Sequence, residues 1–333
     1  MTVVNTNSHP LSVLIVGCGN IAGRFDQKRP ENHPPYTHAG AFTRDARFNL
    51  IACIDPDEQL RLEFMERWKV PLGYASIDEL RGSAKKFDVI SICSPTISHA
   101  HDLELALSLL PKLIFCEKPI TTLLSEAERL VDICKKADIP VAVNHTRRWD
   151  LDILKLRADL NAEKWGCLRS VSALYNKGIM NNGSHLIDLL HFLLGPMRII
   201  KVGRPQYDFF SDDPSVPVWL ESNTDVPIQI SCAHADDYAA FELQFIFSGG
   251  VLTMEEGGML WRERRAADSD TFKGYRKIGQ GVYRSGNYPQ AMLHAIDNIY
   301  QTINRGMPLL SSVDSALSAQ RVCEEIKQQA CML

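Results

Sequence analysis

The apolar run Leu11–Val16 (LSVLIV) leads directly into the turn Gly17-Cys18-Gly19-Asn20-Ile21-Ala22. A strand that enters a glycine turn and then a helix is the setting of a dinucleotide fingerprint, in which the backbone approaches a pyrophosphate. The fingerprint accepts alanine at its third conserved position. The alternative is a plain strand-to-helix turn. The context favours a nucleotide site that includes Gly17, Gly19, Asn20 and Ile21.

Further short apolar runs follow in the first half, and segments of helical period separate them. Strands covered by helices on both faces are apolar almost throughout, so the pattern predicts parallel strands of a βαβ sheet. The runs are residues 48–54, 87–93, 113–116 and 140–144. One helix has candidate starts at Thr122 and at Ser125, the latter in capping-box spacing with Glu128. We predict a dinucleotide-binding domain over residues 1–146.

Beyond about residue 146 the pattern changes to longer alternating runs, which indicate an antiparallel sheet. Strands are expected at 168–175, 228–233, 239–247 and 251–255, with helices at about 149–160 and at 184–194. Two amphipathic helices end the chain. The fold class is therefore α/β, with a doubly wound parallel sheet and, over residues 147–333, an α+β domain with an open, mostly antiparallel sheet.

Asp55 ends the second predicted strand and is a candidate ligand for the adenosine ribose. Because Pro56 follows it, Asp55 could also be the N-cap of the next helix. A carboxylate there repels a 2′-phosphate, and no arginine stands beside it in the sequence. NAD is therefore expected, with NADP not excluded.

The distance in sequence from Gly19 to Asp55 exceeds the usual spacing of about 20 residues. A proline-containing loop over residues 26–36 explains the excess, since it would interrupt the first helix. His33 and His38, in and after this loop, are expected to be structural or solvated, with ligand contact as the alternative.

The tripeptide Glu117-Lys118-Pro119 follows the apolar run Leu113–Cys116. It places an ammonium group at the carboxyl edge of the predicted parallel sheet, where doubly wound proteins bind their ligands. A lysine at a strand end is often only a solvated side chain. Together with a glycine turn on the same sheet, however, Lys118 indicates hydride chemistry.

The composition excludes several classes of protein. With 333 residues and 45% hydrophobic content, the chain is long enough for about two domains. A net charge of −4 provides no basic face for nucleic acid and no polybasic membrane anchor. The polar first ten residues and the lack of a long apolar stretch predict no signal peptide and no membrane span, and a cytoplasmic protein is expected. Nine cysteines without a Cys-x-x-Cys pair fit buried, reduced thiols.

Several segments, taken in chain order, resemble the Gfo/Idh/MocA family of nicotinamide-dependent sugar and cyclitol dehydrogenases, and the resemblance covers nearly the whole chain. The segments are the glycine turn, Asp55, Ser94-Pro95-Thr96 with His99, Glu117-Lys118-Pro119, Asn181-Asn182-Gly183-Ser184-His185-Leu186-Ile187-Asp188, and Ser312-Val313-Asp314-Ser315-Ala316-Leu317.

The resemblance implies an N-terminal Rossmann domain and a C-terminal domain whose open sheet mediates homodimer or homotetramer contacts. It implies that Lys118 lies beside the nicotinamide ribose and the substrate hydroxyl, and that His185 is the acid/base. The remaining implied site residues are Ser94, Pro95, Thr96, His99 and Glu117 on the cofactor side, and Arg147 or Arg148 on the substrate side.

Many members of the family have an aspartate where this chain has Asn181. Asparagine can bind a hydroxyl but cannot titrate, so proton transfer is left to His185 and Lys118. His185 could instead be a satisfied polar group at a helix start, and Asp188 its orienting partner or a structural residue. His99 and His101 would face apart on a helix, and no metal site is expected.

The expected function is hydride transfer between nicotinamide and a secondary alcohol carbon of a sugar, a sugar derivative such as a nucleotide sugar, or a cyclitol. One alternative is a non-catalytic sensor that binds NAD. Another is a lyase or glycosidase that keeps its NAD bound and oxidises the substrate transiently.

Overall fold

A computed structural model describes residues 9–30, 32–81 and 84–333. The polar start of the chain, used above to predict the absence of a signal peptide, lies almost entirely outside these residues. Contacts divide the described chain into two compact units. The first runs to Asn144 and also includes Met292–Leu317, and the second consists of His145–Ala291 and Ser318–Leu333.

This division differs from the sequence boundary at residue 146, because residues 292–317 return to the first unit. Two contacts show why. The Arg47 guanidinium pairs with Asp297 at 2.8 Å, and the Ser311 hydroxyl donates a hydrogen bond to the Val143 carbonyl at 2.6 Å.

The first unit is built on a six-stranded sheet with the strand order β3-β2-β1-β4-β5-β6, all parallel. This is the order of a doubly wound dinucleotide-binding fold. Its elements are β1 Leu11–Val16, α1 His38–Arg44, β2 Phe48–Ile54, α2 Glu58–Trp68, β3 Leu72–Tyr74, β4 Val89–Ile92, α3 His99–Ser108, β5 Leu113–Cys116, α4 Leu124–Ala137 and β6 Val141–Val143.

The predicted parallel strands are confirmed, and β4 and β5 are buried along their whole length. The predicted start of α4 is wrong. Its N-cap is Leu123, whose apolar side chain cannot cap, and Ser125 lies inside the first turn. The short strand β3 was not predicted.

The second unit is built on a nine-stranded sheet with the order β14-β13-β12-β11-β7-β10-β9-β8, and β15 pairs with β13. Only the pairing of β10 with β7 is parallel among these described strands. The elements are α5 Leu151–Asn161, β7 Leu168–Tyr175, α6 Ser184–Leu194, β8 Met197–Val202, β9 Val218–Ser222, β10 Pro227–Cys232, β11 Phe241–Phe247, β12 Gly250–Glu255, β13 Leu260–Asp268, β14 Arg276–Ile278, β15 Val282–Ser285, α7 Ala291–Arg305 and α8 Val313–Ala330, of which α7 and the start of α8 belong to the first unit.

One face of this second sheet carries the apolar core. In β11, alternate residues from Phe241 to Phe247 are buried, as the period of a half-covered strand requires. They pack with apolar residues of α5, α6 and the later part of α8. The predicted fold class, a parallel sheet followed by an α+β unit, is confirmed. Among the described residues, no helix is both long and apolar enough to cross a membrane.

Candidate functional site

The glycine turn is closed on one side and open on the other. Gly17 has φ +89°, and a Cβ there would lie 2.6 Å from the backbone nitrogen of Ser94, so only glycine fits. A Cβ at Gly19 would meet nothing within 4 Å. The backbone at Gly19 is therefore open to a ligand that needs close approach.

The chain does not enter a long helix after this turn, contrary to the sequence expectation. A short 3₁₀ helix, Arg24–Asp26, is followed by the expected loop, and α1 begins only at His38. The buried Asp26 carboxylate holds the end of the loop. It accepts hydrogen bonds from the Tyr36 amide at 3.1 Å and from the Thr37 hydroxyl at 2.6 Å.

A cleft of about 710 Å³ lies at the carboxyl edge of the parallel sheet, beside the glycine turn. The predicted cofactor residues that line it are Gly17, Gly19, Asn20, Ile21, Asp55, Ser94 and Pro95. Thr96, Glu117 and Lys118 follow the ends of β4 and β5 at the same edge of the sheet. The cleft's size, its open glycine backbone and its acidic residue fit a dinucleotide.

The cleft also has lining residues that the sequence did not single out as cofactor ligands. His101 and Asp102 of α3 line it, together with Ser76 and Ile77. The Asp102 carboxylate accepts a hydrogen bond from the Ser94 hydroxyl at 2.5 Å. Within the described part of the chain, no three His, Cys, Asp or Glu side chains form a group that could hold a metal ion.

His99 is buried, and its ring nitrogens contact the backbone of two segments. Its Nδ1 lies 2.8 Å from the Pro119 carbonyl oxygen, and its Nε2 lies 2.9 Å from the Ser94 carbonyl oxygen. His99 thus joins the segments after β4 and β5, and acts on the cleft through the position of Ser94.

Asp55 is tied to the glycine turn. Its Oδ2 accepts a hydrogen bond from the Cys18 amide at 2.8 Å, and its Oδ1 accepts one from the Asp57 amide at 2.9 Å. Asp55 is not the N-cap of α2. That residue is Asp57, whose side chain accepts from the Leu60 amide.

An arginine does approach Asp55 in the fold, although the sequence places none next to it. The Arg61 guanidinium, on α2, donates to the Asp55 carbonyl oxygen at 2.5 Å. Arg61 therefore stands beside the acidic residue at the end of β2.

Glu117 and Lys118 follow β5 directly. The Glu117 carboxylate accepts hydrogen bonds from Asn144 Nδ2 at 2.6 Å and contacts His38 Nε2 at 2.8 Å. The Lys118 amide donates to Glu117 Oε2 at 3.3 Å. The Glu117 side chain therefore points into the protein interior, and its carboxylate fixes the backbone at Lys118.

In the second unit, His185 is the second residue of α6, which follows a π-helical turn, Gly178–Gly183. The predicted Asn181 lies in that turn. Its side-chain amide donates to the Lys177 carbonyl at 3.0 Å, and its backbone amide donates to the Asp213 carboxylate at 2.9 Å. Asp213 also accepts from the Met180 amide at 2.9 Å. Asp213, which the sequence did not indicate, therefore anchors the turn that carries Asn181.

His145 is a further residue that the sequence did not assign to the site. It is buried, and its ring contacts the His185 ring edge to face with centroids 5.4 Å apart. Its Nδ1 lies 3.8 Å from the Asp188 carboxylate, which accepts a hydrogen bond from Arg148 Nε at 2.8 Å. Asp188 therefore pairs with Arg148 and stands behind the histidine that touches His185.

The two predicted substrate arginines have different surroundings. Arg148 is buried in its pair with Asp188. The Arg147 guanidinium lies over the Phe241 ring, 3.7 Å from its centroid, and its Nε donates to the Gly257 carbonyl at 3.1 Å. Of the two, Arg147 is the one whose side chain is only partly buried.

The part of the chain that forms the cleft also matches a known family. The family model GFO_IDH_MocA, described as "Oxidoreductase family, NAD-binding Rossmann fold", matches residues 11–145. Over these residues the chain is similar to the Gfo/Idh/MocA family. Its first unit is an NAD-binding Rossmann unit, as the sequence predicted.

Individual relatives are more distant. The chain is 32% identical over 108 residues to the myo-inositol 2-dehydrogenase of Thermotoga maritima, a match that covers 32% of each protein. It is 25% identical over 274 residues to the D-glucoside 3-dehydrogenase of Escherichia coli, which covers 77% of this chain and 70% of that one. The first curated relatives are matched over about a third of their own length.

A solved structure supports the fold. An oxidoreductase from Agrobacterium radiobacter, in complex with NAD+, L-tartaric acid and magnesium, is similar with a TM-score of 0.75. The match covers 96% of both chains at 17% sequence identity. This likeness shows that the chain and that oxidoreductase share a fold over nearly their whole length.

Proposed function

We propose that this protein is an NAD(P)-dependent dehydrogenase that acts on a secondary alcohol of a sugar, a sugar derivative or a cyclitol. The observation that carries the proposal is the cleft beside Gly17 and Asp55, at the same sheet edge as Lys118. The named relatives act on myo-inositol and on a D-glucoside, both of which carry ring hydroxyls.

The dinucleotide would be held by this chain's own backbone and carboxylate. The open backbone at Gly19 suits a pyrophosphate, and Asp55 suits the hydroxyls of the adenosine ribose. Bound NAD would supply the hydride acceptor. The protein's part is to bind, to orient and to manage charge and protons.

Lys118 and His185 have separate roles in this proposal. The Lys118 ammonium stabilises the negative charge that develops on the substrate oxygen, a contribution that grows toward the transition state. His185 accepts the hydroxyl proton as a general base. Asn181 and Arg147 hold neighbouring hydroxyls. The His145 ring supports the orientation of His185, since it contacts that ring directly.

The test is a cofactor-reduction screen over sugars, inositols and nucleotide sugars, followed by two substitutions. Lys118→Met and His185→Ala should each reduce kcat by about 10²-fold or more, while the dissociation constant for NAD stays near that of the unmodified protein. Lys112→Met and His191→Ala are matched controls. Lys112 precedes β5 where Lys118 follows it, and His191 lies on the same helix as His185.

Three outcomes would contradict the proposal in different ways. Unchanged turnover in both variants would remove Lys118 and His185 from catalysis. NAD binding without turnover of any alcohol or ketone would favour a sensor. NAD that stays bound through desalting, together with substrate conversion that produces no net NADH, would favour a lyase or glycosidase.

A further inference from the structure

The guanidinium of Arg147 has no carboxylate partner among the residues that the structure describes. Arg147 lies in the 3₁₀ helix Thr146–Trp149, and its side chain is partly buried. Its Nε donates to the Gly257 carbonyl at 3.1 Å, whereas no described residue accepts a hydrogen bond from Nη1 or Nη2. A charge that is removed from water is normally paired, so we expect a ligand to supply the missing anion.

The nearest acidic side chain does not fill this role. Burial lowers the pKa of Arg147, and the charges of Tyr288 and Asp150 oppose this effect only in part. Asp150 caps α5 through Oδ1, and burial raises its pKa to about 7, so that at neutral pH it carries only part of a charge. The neighbouring Asp152 carboxylate is paired with Arg284 at 2.7 Å. The protein therefore leaves the charge of Arg147 uncompensated.

Two aromatic rings and a glycine shape the space around this guanidinium. Its central carbon lies 3.7 Å from the centroid of the Phe241 ring and 4.9 Å from that of the Tyr288 ring. Such rings stabilise the cation and restrict its plane, while its in-plane N–H groups remain able to bind an anion. Gly257 has φ +66°, and a Cβ there would lie 3.0 Å from Nη2 of Arg147. Glycine at this position thus keeps one edge of the guanidinium uncrowded.

The segments around Arg147 are tied to the proposed substrate residues. His145, two residues earlier, contacts the His185 ring. Phe241, whose ring lies beneath Arg147, follows a residue whose carbonyl accepts a hydrogen bond from the side chain of Asn182, at 3.4 Å, in the π-helical turn. An anion bound by Arg147 would therefore belong to the same molecule as the hydroxyl that His185 is proposed to deprotonate.

We propose that Arg147 binds a carboxylate of the substrate, and that the substrate is accordingly an acidic sugar of the uronic acid class. The inference rests on the proposed function, in which Arg147 faces the substrate, and it replaces a neutral hydroxyl by an anion as the ligand of this residue. A hydroxyl would leave the guanidinium charge unbalanced. The two Nη groups match the two oxygens of a carboxylate.

Charge favours a carboxylate over a phosphate. A phosphate monoester carries about −1.5 to −2 at pH 7, so it needs more than one cation. The neighbouring arginines are already paired, Arg148 with Asp188 at 2.8 Å and Arg284 with Asp152 at 2.7 Å. The guanidinium of Arg147 balances the single charge of a carboxylate.

The experiment compares sugars that differ only in the group at their last carbon. Calorimetry on the full chain, saturated with NADH so that no oxidation occurs, gives the dissociation constants of D-glucuronate, D-galacturonate and D-mannuronate. Each is paired with its parent hexose and with its uncharged methyl ester, and D-glucose 6-phosphate is included. At least one uronate should bind about tenfold or more tightly than its hexose and its ester, because hydrogen bonds between charged groups are the strong ones.

Arg147→Met should abolish this preference. The dissociation constant of the uronate should rise to about that of the hexose, while that of the hexose changes little. Arg157→Met is the matched control, because Arg157 also lies over an aromatic ring, 4.3 Å from the centroid of Phe192, but is exposed. It should leave every dissociation constant unchanged. The comparison of a uronate with its methyl ester in the unmodified protein tests the inference even if Arg147→Met does not fold.

The inference and the proposed function fail in distinguishable ways. The inference is overturned if no uronate binds more tightly than its hexose and its ester, if the preference survives in Arg147→Met, or if the sugar phosphate binds more tightly than every uronate. A uronate preference that depends on Arg147, without NAD reduction by any alcohol, upholds the inference and overturns the proposed function. NAD reduction by neutral sugars, without a uronate preference in binding, does the reverse.

Discussion

The carboxylate of Asp55 holds the backbone of Cys18 in the glycine turn, with 2.8 Å between Oδ2 and the amide nitrogen. The Asp55 side chain therefore has two effects. It fixes the glycine turn, which is proposed to bind the pyrophosphate, and it places negative charge where an adenosine ribose would lie in that proposal.

The first prediction concerns cofactor choice. NAD(H) should bind more tightly than NADP(H), because the Asp55 carboxylate repels a 2′-phosphate. Asp55→Ala should narrow this gap, and it should also weaken binding of both cofactors, since the turn loses the acceptor for the Cys18 amide. Dissociation constants from calorimetry check both statements.

Asp57→Ala is the control for this prediction. It removes the cap of α2, at a cost of about 1 kcal/mol in stability, and should leave the ratio of the two dissociation constants unchanged. Tighter binding of NADP(H) than of NAD(H) by the unmodified protein would contradict the role of Asp55, and would direct attention to the neighbouring Arg61 guanidinium.

The second prediction concerns Asn181, at the position where the resemblance to the family implies an aspartate in many members. Asn181→Asp should lower Tm, because the new carboxylate cannot donate to the Lys177 carbonyl and lies near the Asp213 carboxylate. The rate should be preserved or raised at pH values where the new group is ionised, since an anion stabilises the imidazolium formed at His185.

Asn181→Ala separates the effect on stability from the effect on rate. It also loses the hydrogen bond to Lys177, so it should lower Tm, but it brings no charge and should not raise the rate. Thermal melting and the pH profile of kcat/KM are the measurements. An unchanged Tm in both variants would show that the Asn181 amide is not needed for the π-helical turn.

The parts of the fold that could be predicted from sequence are those where burial leaves a local signal. Strands β1, β2 and β5 were predicted to the residue, because strands covered on both faces are continuous apolar runs. Strands β8 and β13 were missed, since exposed residues interrupt their apolar pattern, and β9 was missed although its burial alternates.

The site divides in the same way. The glycine turn and Asp55 belong to a sequence motif that can be recognised without the fold, and both line the cleft. His38 and Glu117 lie 79 residues apart, and only the order of the strands brings them together. His145 meets His185 by the same kind of long-range contact, for which one sequence offers no periodicity or spacing.

The third prediction concerns stability and pH. Asp150 is fully buried and caps α5 through Oδ1, which accepts from the Asp152 amide at 2.9 Å. Burial raises its pKa from 3.8 to about 7, against the smaller opposing effects of that hydrogen bond and of Arg147. Its Oδ2 has no hydrogen-bond partner among the described residues.

A carboxyl whose pKa is raised by folding stabilises the folded state below its unfolded pKa, and that stability is lost as pH rises through the folded value. Asp150→Asn keeps a capping oxygen and cannot ionise. The variant should therefore have a higher Tm than the unmodified protein at about pH 8 and little advantage at about pH 4.

Asp152→Asn should change Tm in the opposite direction. The Asp152 carboxylate accepts from the Arg284 guanidinium and the Asn287 amide, each at 2.7 Å, so its neutralisation should lower Tm at about pH 8. A lower Tm for Asp150→Asn at that pH would mean that the Asp150 charge is compensated in the folded protein.

The last prediction concerns assembly. In β9, Val218 and Leu220 point into the core, so Trp219 between them points to the other face of the second sheet, where its side chain is 55% exposed. A large aromatic side chain on an open sheet face is typical of an interface between subunits. We expect a homodimer or homotetramer at micromolar concentration by light scattering. Trp219→Arg should reduce the measured mass toward that of one chain, whereas Leu62→Arg, at an equally exposed position on α2, should not. A monomeric mass for the unmodified protein would rule out this use of the open face.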